Sequence, residues 1–555
     1  MIEQKTKTTM SPWERLMGLL KLEKRDILQV VYYAVFSGLL GLTLPLGVQA
    51  IVNLIQGAQV SSSWVVLVIL VTLGVAFVGV LQIMQLRMIE TIQQRIFTRA
   101  SFEFTYRFPK IKMNELRNYY PPELANRFFD TLTIQKGLAK ILIDIPSAVL
   151  QIIFALILLS FYHPFFIVFG IFLLLLIYIV FKFTAKKGLE TSIQESKHKY
   201  RVAHWIEEIA RAVVSFKLSG KTNLGMQKND DIVNSYLEAR ENHFKILVLQ
   251  FIQMIGFKVI VTASLLLIGG LLVLSQEMNI GQFVAAEIII LLVIASVEKL
   301  ILGLEAFYDV LTSLEKMGEV VDKELESQEG DRPEFKDDFI LELDNASYSV
   351  PGRELPILKN ISLKIKPKSR ILIEGATGSG KSSLLMLIGG LVEATKGKIY
   401  LDKFMLSNMN LNHYRSHLGL ALSEETTFEA TIKENITFGN PEVSDDQLMW
   451  AIEQVGLYQF IKESPKGVNT ILHPAGNQIP FTITRKIVLA RAIVSKPKIL
   501  ILEDPLEQFE KSEVDRIIKF LLDKSNPWAL VVVSKNKDWS QGCTEIITLK
   551  NGEIV

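Results

Sequence analysis

A single cysteine, Cys543, in 555 residues excludes an internal disulfide and any cysteine-based metal cage. It is expected as a buried or idle thiol. Charge of one sign is scarce as well: 60 Lys and Arg face 58 Asp and Glu, a net of +2. No global basic field therefore argues for nucleic acid. Residues 1–26 hold no signal-peptide core, so the first apolar run, 27–51, is expected to stay as an anchor. What is abundant is apolar surface. Hydrophobic residues make up 49% and mean hydropathy is +0.30, yet 21% of residues are charged. That mixture points to a membrane part joined to a soluble part, and the length exceeds one hydrophobic core.

Further apolar runs follow at 64–86, 141–162, 165–181, about 248–275 and 283–303. Each approaches the roughly 20 residues a helix needs to cross a bilayer. Six spans put both termini on one side. The long connections, 87–140 and 182–247, are rich in Lys and Arg, whereas "VNLIQGAQVSSS", "HP" and "QEMNIGQ" contain none. The positive-inside rule then assigns the long connections, the N-terminus and everything after 304 to the cytoplasm. Both long connections carry helical periodicity and are predicted to extend well beyond the membrane. Their tips, 117–130 and 213–223, are either plain turns or contact elements for a cytoplasmic domain.

Composition changes at "DKELESQEGDRPEFKDD" (322–338), an acidic, apolar-poor linker. Beyond it strand-like and helix-like runs alternate. The expected architecture is an all-α polytopic membrane domain of six transmembrane helices followed by an α/β P-loop NTPase domain. The expected boundaries are 1–315 for the membrane domain, 316–337 for the linker and 338–555 for the nucleotide-binding domain.

The most specific motif is "ILIEGATGSGKSSLLMLIGGL" (371–391), a strand, a glycine-rich turn and an apolar helix. It matches G-x-x-x-x-G-K-[ST] as Gly375, Gly380, Lys381 and Ser382. Glycines let backbone N–H groups wrap a phosphate chain, and the helix N-terminus adds its positive dipole end. Gly375, Thr377, Gly378, Ser379, Gly380, Lys381, Ser382 and Ser383 are therefore the expected nucleotide contacts. Lys381 would reach the β- and γ-phosphates, and Ser382 would ligate Mg²⁺. A second run, "KILILEDPLEQFEK" (498–511), ends an apolar strand in Glu503 and Asp504, the way a buried parallel strand presents acids at its C-terminal edge.

Six spans with long cytoplasmic helices, then a P-loop domain containing "LARAIVSKPKILIL", resemble an ABC exporter half-transporter. "GQFVAAEIII" and "LEAFYDVLTSLEKMGEVVD" are most similar to the type I secretion branch of haemolysin and bacteriocin exporters. The resemblance implies ATP and Mg²⁺ as cofactors and a second half-transporter, identical or different, sandwiching ATP between one subunit's P-loop and the other's signature. Membrane lipid is a partner, joined in the secretion branch by a periplasmic adaptor and an outer-membrane channel. No nucleic acid is expected. It implies a multi-pass protein of the plasma (inner) membrane with both termini cytoplasmic. The tips would be coupling elements, with Tyr120, Glu123 and Phe216 meeting the Ser423 region.

Outside the P-loop the nucleotide motifs depart from the family. The adenine-stacking aromatic falls at Val350, with Tyr348 as the candidate substitute; the Q-loop glutamine falls at Ser423. The L-S-G-G-Q signature is "IPFTI" (479–483), and the switch histidine falls at Lys535. Glu503 takes the metal-water position and Asp504 that of the general base. Each carboxylate is thus the wrong length by a methylene, and losing a well-placed base costs typically about 10²–10⁴-fold. Lys535 would be a partial electrostatic substitute at the γ-phosphate. The expected function is an ATP-binding exporter subunit with peptide or protein cargo and weak or absent hydrolysis. The alternatives are a lipid or small-molecule exporter and a non-transporting ATP-binding sensor or scaffold. Among charges near the spans, Asp144 and Lys258 are expected to snorkel, Glu298 to pair with Lys299, and Glu287 to be the cavity candidate.

Overall fold

The computed structural model describes residues 10–57, 62–117, 119–474 and 478–555, without the side chains of 180 and 181. Part of the expected first outer loop, 58–61, thus lies outside the described residues. The chain divides into two compact units, Met1–Pro109 with Asn118–Lys323, and Lys110–Arg117 with Glu324–Val555.

The first unit is helical. It contains α1 (Pro12–Leu22), α2 (Lys24–Gly41), α3 (Thr43–Gln56), α4 (Ser62–Arg107), α5 (Asp130–Ser160), α6 (Phe165–Arg211), α7 (Leu224–Ser264) and α8 (Ile280–Val321). Among the described residues six segments are long and apolar enough to cross a membrane: Lys24–Gln56, Ser62–Lys110, Pro121–Ser160, Phe165–Arg211, Leu224–Leu274 and Ile280–Val321. Each expected apolar run falls on one of them. The helices α4 and α6 have 46 and 47 residues. At 1.5 Å per residue that is about 70 Å, more than twice the ~30 Å hydrocarbon layer, so their polar halves project out of it. The first span is two helices because Pro45 has no N–H to donate and fits only in the first turn of α3.

Half of the apolar window of α8 is buried, against 6% for the Ser62–Lys110 segment, so α8 is the central helix and α4 a lipid-facing one. Small residues let it pack closely: a Cβ on Gly137 of α5 would lie 2.4 Å from Val310 Cγ2. At the other end of the unit the capping box of Ser11 and Glu14 starts α1. The Arg15 guanidinium then grips both carboxylate oxygens of Asp322, just past α8, over the bare face of Gly318.

Lys258 of α7 donates to Glu298 of α8 at 2.6 Å. This corrects the expected Glu298–Lys299 pairing and the snorkelling of Lys258. Neighbours in sequence point to different sides of a helix, whereas α7 and α8 can set opposite charges face to face. Glu287 is half-buried.

The second unit is built on two sheets. The strands are β1 (Leu341–Tyr348), β2 (Leu358–Ile365), β3 (Arg370–Glu374), β4 (Lys396–Leu401), β5 (Phe404–Met405), β6 (Leu418–Ala421), β7 (Ile499–Glu503), β8 (Ala529–Val533), β9 (Glu545–Lys550) and β10 (Glu553–Ile554). An antiparallel sheet has the order β2-β1-β4-β5, and a second sheet the order β10-β9-β3-β8-β7-β6, with β9, β3, β8, β7 and β6 parallel. Alternate residues of the parallel strands enter two cores. Ile371, Ile373, Ile499 and Ile501 pack with Leu384 and Leu385, while Leu372, Leu500 and Leu502 pack with Ile487 and Val488. Burial on both faces is why these strands read as unbroken apolar runs. Burial also pushes the Cys543 thiol up to about 11, so it stays protonated and inert at neutral pH.

Replacing Lys258 by Met should leave the Glu298 carboxylate unpaired between apolar helices, a loss of about 2–3 kcal/mol. The double variant Lys258→Met with Glu298→Leu should regain most of it. Thermal unfolding of the detergent-purified protein reads both; a single variant as stable as wild type would refute the pairing.

Candidate functional site

Strand order alone brings four distant stretches together. In the sequence β3-β8-β7-β6, Val533 lies opposite both Ile373 and Glu503, and Ala421 lies opposite Leu502. The turns after β3, β8, β7 and β6 carry, respectively, the glycine loop, Lys535, Asp504 and Ser423. Groups at the carboxyl ends of adjacent parallel strands share one crevice, the usual ligand position of an open α/β sheet.

A cleft of about 340 Å³ is lined there by Arg353, Ile357, Thr377, Gly378, Gly380, Lys381, Ser382, Ser383, Glu503, Asp504, Val533 and Lys535. Gly378 and Gly380 have φ of +81° and +105°, the left-handed conformations that the turn needs and that side chains disfavour. The turn opens into α9 (Lys381–Ile388), whose first N–H groups have no partner of their own within the helix. Lys381 Nζ donates to the carbonyls of Gly375 and Ala376, both at 2.9 Å. Two expected contacts stand back from the cleft. Gly375 supplies that carbonyl and has room for no side chain, since a Cβ would lie 2.3 Å from Leu549 O. Ser379 is buried, with its hydroxyl unpartnered.

The carboxylate of Glu503 is the most heavily tied group. It is 7% exposed and accepts from the Ser382 hydroxyl on one oxygen. Its other oxygen accepts from the Ser423 hydroxyl at 2.9 Å and the Ser423 N–H at 3.2 Å. The longer acid and the shorter Ser423 are therefore complementary: Glu503 reaches the place where a serine can meet it. Ser382 and Glu503 give the hard oxygen donors that Mg²⁺ takes, so the residues present fit that ion, which would neutralise phosphate charge beside them. Asp504 adopts φ +38° with its N–H on Val533 O at 2.8 Å, a left-handed backbone uncommon outside glycine. Lys535 is exposed and lines the cleft from the end of β8, the strand between β3 and β7.

Sequence reasoning missed Arg485. It lies in α10 (Phe481–Ile493), is 3% exposed, and donates to Leu422 O at 3.0 Å, Ser423 O at 3.3 Å and Glu503 O at 3.1 Å. Burial depresses its pKa, opposed by the nearby carboxylates of Glu425, Glu507, Glu503 and Asp504. One guanidinium thus fastens the ends of β6 and β7 to α10. The start of α10 is Pro480, which caps without a side-chain acceptor, followed by Phe481, 47% exposed.

Tyr348 corrects an expectation. It is 4% exposed, donates its hydroxyl to Asn114 Oδ1 at 2.9 Å and does not line the cleft, because β1 turns it into the core. Asn114 belongs to Lys110–Arg117, a segment of the second unit that carries no recognisable motif. Within the second unit Ile111 bridges Leu325, and Lys112 Nζ meets Glu324 at 2.7 Å and Glu393 at 3.1 Å. The expected coupling residues behave differently from one another. Tyr120 is exposed before the short helix Pro121–Ala125, while Glu123 is committed inside the first unit to Arg127 at 3.4 Å and His204 at 3.0 Å. Phe216 packs edge-on against Trp205, and Ser423 is taken up by Glu503.

This is a P-loop nucleotide-binding fold attached to a six-span helical membrane region. The ABC transporter transmembrane region matches residues 27–297, and the ABC transporter domain matches 358–507. The chain belongs to the ABC transporters, as a half-transporter with one membrane region and one nucleotide-binding domain. It is similar to the alpha-hemolysin translocation ATP-binding protein HlyB of Escherichia coli O157:H7, 31% identical over 55% of this chain and 43% of that protein. It is also 31% identical to ATP-binding cassette sub-family B member 5 of Homo sapiens, over 41% of this chain and 18% of that one. The chain thus spans less than half the length of these curated relatives. A solved bacterial Atm1-family ABC exporter with ATP bound shares the fold, with a TM-score of 0.84 at 16% identity, over 96% of this chain and 94% of that one.

Ser423→Ala should remove one charge-assisted bond from a buried carboxylate while leaving the N–H contact. Stability of the second unit should fall by about 1–2 kcal/mol. Urea unfolding followed by tryptophan fluorescence measures it, and an unchanged midpoint would refute the clamp.

Proposed function

We propose that this chain is one subunit of an ATP-dependent membrane exporter that holds Mg·ATP firmly and hydrolyses it weakly or not at all. The observation that carries the reading is the cleft itself. Thr377 to Ser383, Lys535 and the Glu503 clamp converge at four adjacent strand ends, which supplies phosphate donors, cations and metal ligands. Weak hydrolysis follows from the other groups. Asp504 has the shorter side chain at the base position and a left-handed backbone, and α10 starts with proline and an exposed phenylalanine in place of small hydrogen-bonding residues.

In a head-to-tail dimer such a chain would weaken one composite site through its acids and the other through its signature. ATP then acts chiefly as an assembly ligand, and the partner is a second half-transporter, identical or different. The named role of HlyB in translocating a hemolysin favours peptide or protein cargo. For such cargo the further partners would be a periplasmic adaptor and an outer-membrane channel. The membrane is the plasma (inner) membrane, with both termini and the Lys- and Arg-rich connections in the cytoplasm. Phe481 at the start of α10 also favours a second reading, a sensor or scaffold whose assembly state follows ATP occupancy.

Lys381→Ala should weaken Mg·ATP binding by about 1.5–3 kcal/mol, roughly 10- to 150-fold, in calorimetry on the purified full chain. Equal affinity of the two forms would sink nucleotide binding at this cleft.

ATPase turnover should fall far below the ~10 s⁻¹ of a median enzyme. Asp504→Glu alone, or with Glu503→Asp, should restore little, because groups that act as a unit are not additive. Wild-type turnover of roughly 1–10 s⁻¹ that Asp504→Asn abolishes would show a working site and overturn the weak-hydrolysis reading.

A further inference from the structure

The loop between β1 and β2 also lines the cleft, through Arg353 and Ile357, and the Ile357 carbonyl lies beside Gly380 of the glycine turn. The loop's sequence, Val350-Pro351-Gly352-Arg353, is that of a type II turn. Pro351 fixes the first central φ, Gly352 takes φ +82°, and the Arg353 N–H donates to Val350 O at 3.2 Å. The loop is closed by the Ile357 N–H on Tyr348 O at 2.7 Å. The consequence is a sorting of side chains. Val350 is 5% exposed and Tyr348 4%, both in the core, while Arg353 is exposed and lines the cleft together with Ile357.

No aromatic ring is among the residues that line the cleft. The phosphates of a bound nucleotide are accounted for by the Gly378–Ser383 turn, Lys381 and Lys535. The lining residues left for the flat, weakly polar base are those of the β1–β2 loop. There the one planar group is the Arg353 guanidinium, and the one aliphatic neighbour from that loop is Ile357. Among the described residues Arg353 has no ion pair or side-chain hydrogen bond that holds it elsewhere.

We propose that Arg353, set on the cleft by the Pro351–Gly352 turn, is the residue that meets the nucleotide base, its guanidinium lying against the purine face with Ile357 alongside. This rests on the nucleotide reading of the cleft. A guanidinium plane stacks on any aromatic face and asks nothing of the ring's edge. The site therefore selects the triphosphate and tolerates either purine: ATP and GTP bind alike.

The test uses the purified full chain with Mg²⁺ and three probes, ATP, GTP and inorganic tripolyphosphate, followed by calorimetry. Wild type should bind ATP and GTP within about threefold of each other. Arg353→Ala should weaken both by roughly three- to tenfold and leave tripolyphosphate unchanged. Arg353→Lys, which keeps charge but not the plane, should recover little of that loss. Lys381→Ala should weaken all three probes. If Arg353→Ala leaves ATP unchanged, or weakens tripolyphosphate as much as ATP, the base assignment is overturned while the nucleotide site stands. If Lys381→Ala also changes nothing, the nucleotide reading falls and takes this inference with it.

Discussion

The buried carboxylate of Glu503 is the constraint around which the nucleotide unit is arranged. It sits at the end of β7 with one oxygen on Ser382 and the other on Ser423. Those contacts join the segments that follow β3 and β6 to β7. A carboxylate removed from water must be compensated by donors, so the ends of all three strands are fixed relative to it. Arg485 adds the backbone side of the same knot through carbonyls of Leu422, Ser423 and Glu503. The glycine turn is thereby held ready for phosphate, with Lys381 resting on its own loop carbonyls.

The departures from the family's motifs have different physical weights. Glu503 and Ser423 form a complementary pair, longer acid against shorter hydroxyl, and the local hydrogen bonding is complete. Asp504, Pro480 and Phe481 show no such compensation. Asp504 carries the shorter side chain on a left-handed backbone, and the proline cap offers neither a hydroxyl nor an N–H. On the proposed reading, holding nucleotide and hydrolysing it therefore rest on different groups.

The membrane unit is governed by a different cost, that of unpaired polar groups among apolar helices. Lys258 and Glu298 answer it by pairing, and the Arg15–Asp322 grip ties α1 to the end of α8. Gly318 and Gly137 leave the space that these contacts and the α5–α8 packing require. The same logic explains the break between α2 and α3, with Pro45 in the first turn of α3 where a missing N–H costs nothing.

The sequence by itself determined the six apolar segments, the long helical extensions, the glycine loop and the acid-ended strand. All are local patterns: hydrophobic periodicity, charge asymmetry and fixed spacing act within one stretch of chain. Only the tertiary structure decided which residues face one another. Strand order set Ser423 beside Glu503, and helix packing chose Lys258 over Lys299 for Glu298. Burial removed Tyr348 from the cleft, and a two-residue turn delivered Arg353 to it. Arg485 and Asn114 carry no motif at all, since their partners are backbone carbonyls and a hydroxyl far away in sequence. Such contacts depend on the closing of the sheet and the packing of helices, which no single stretch of residues encodes.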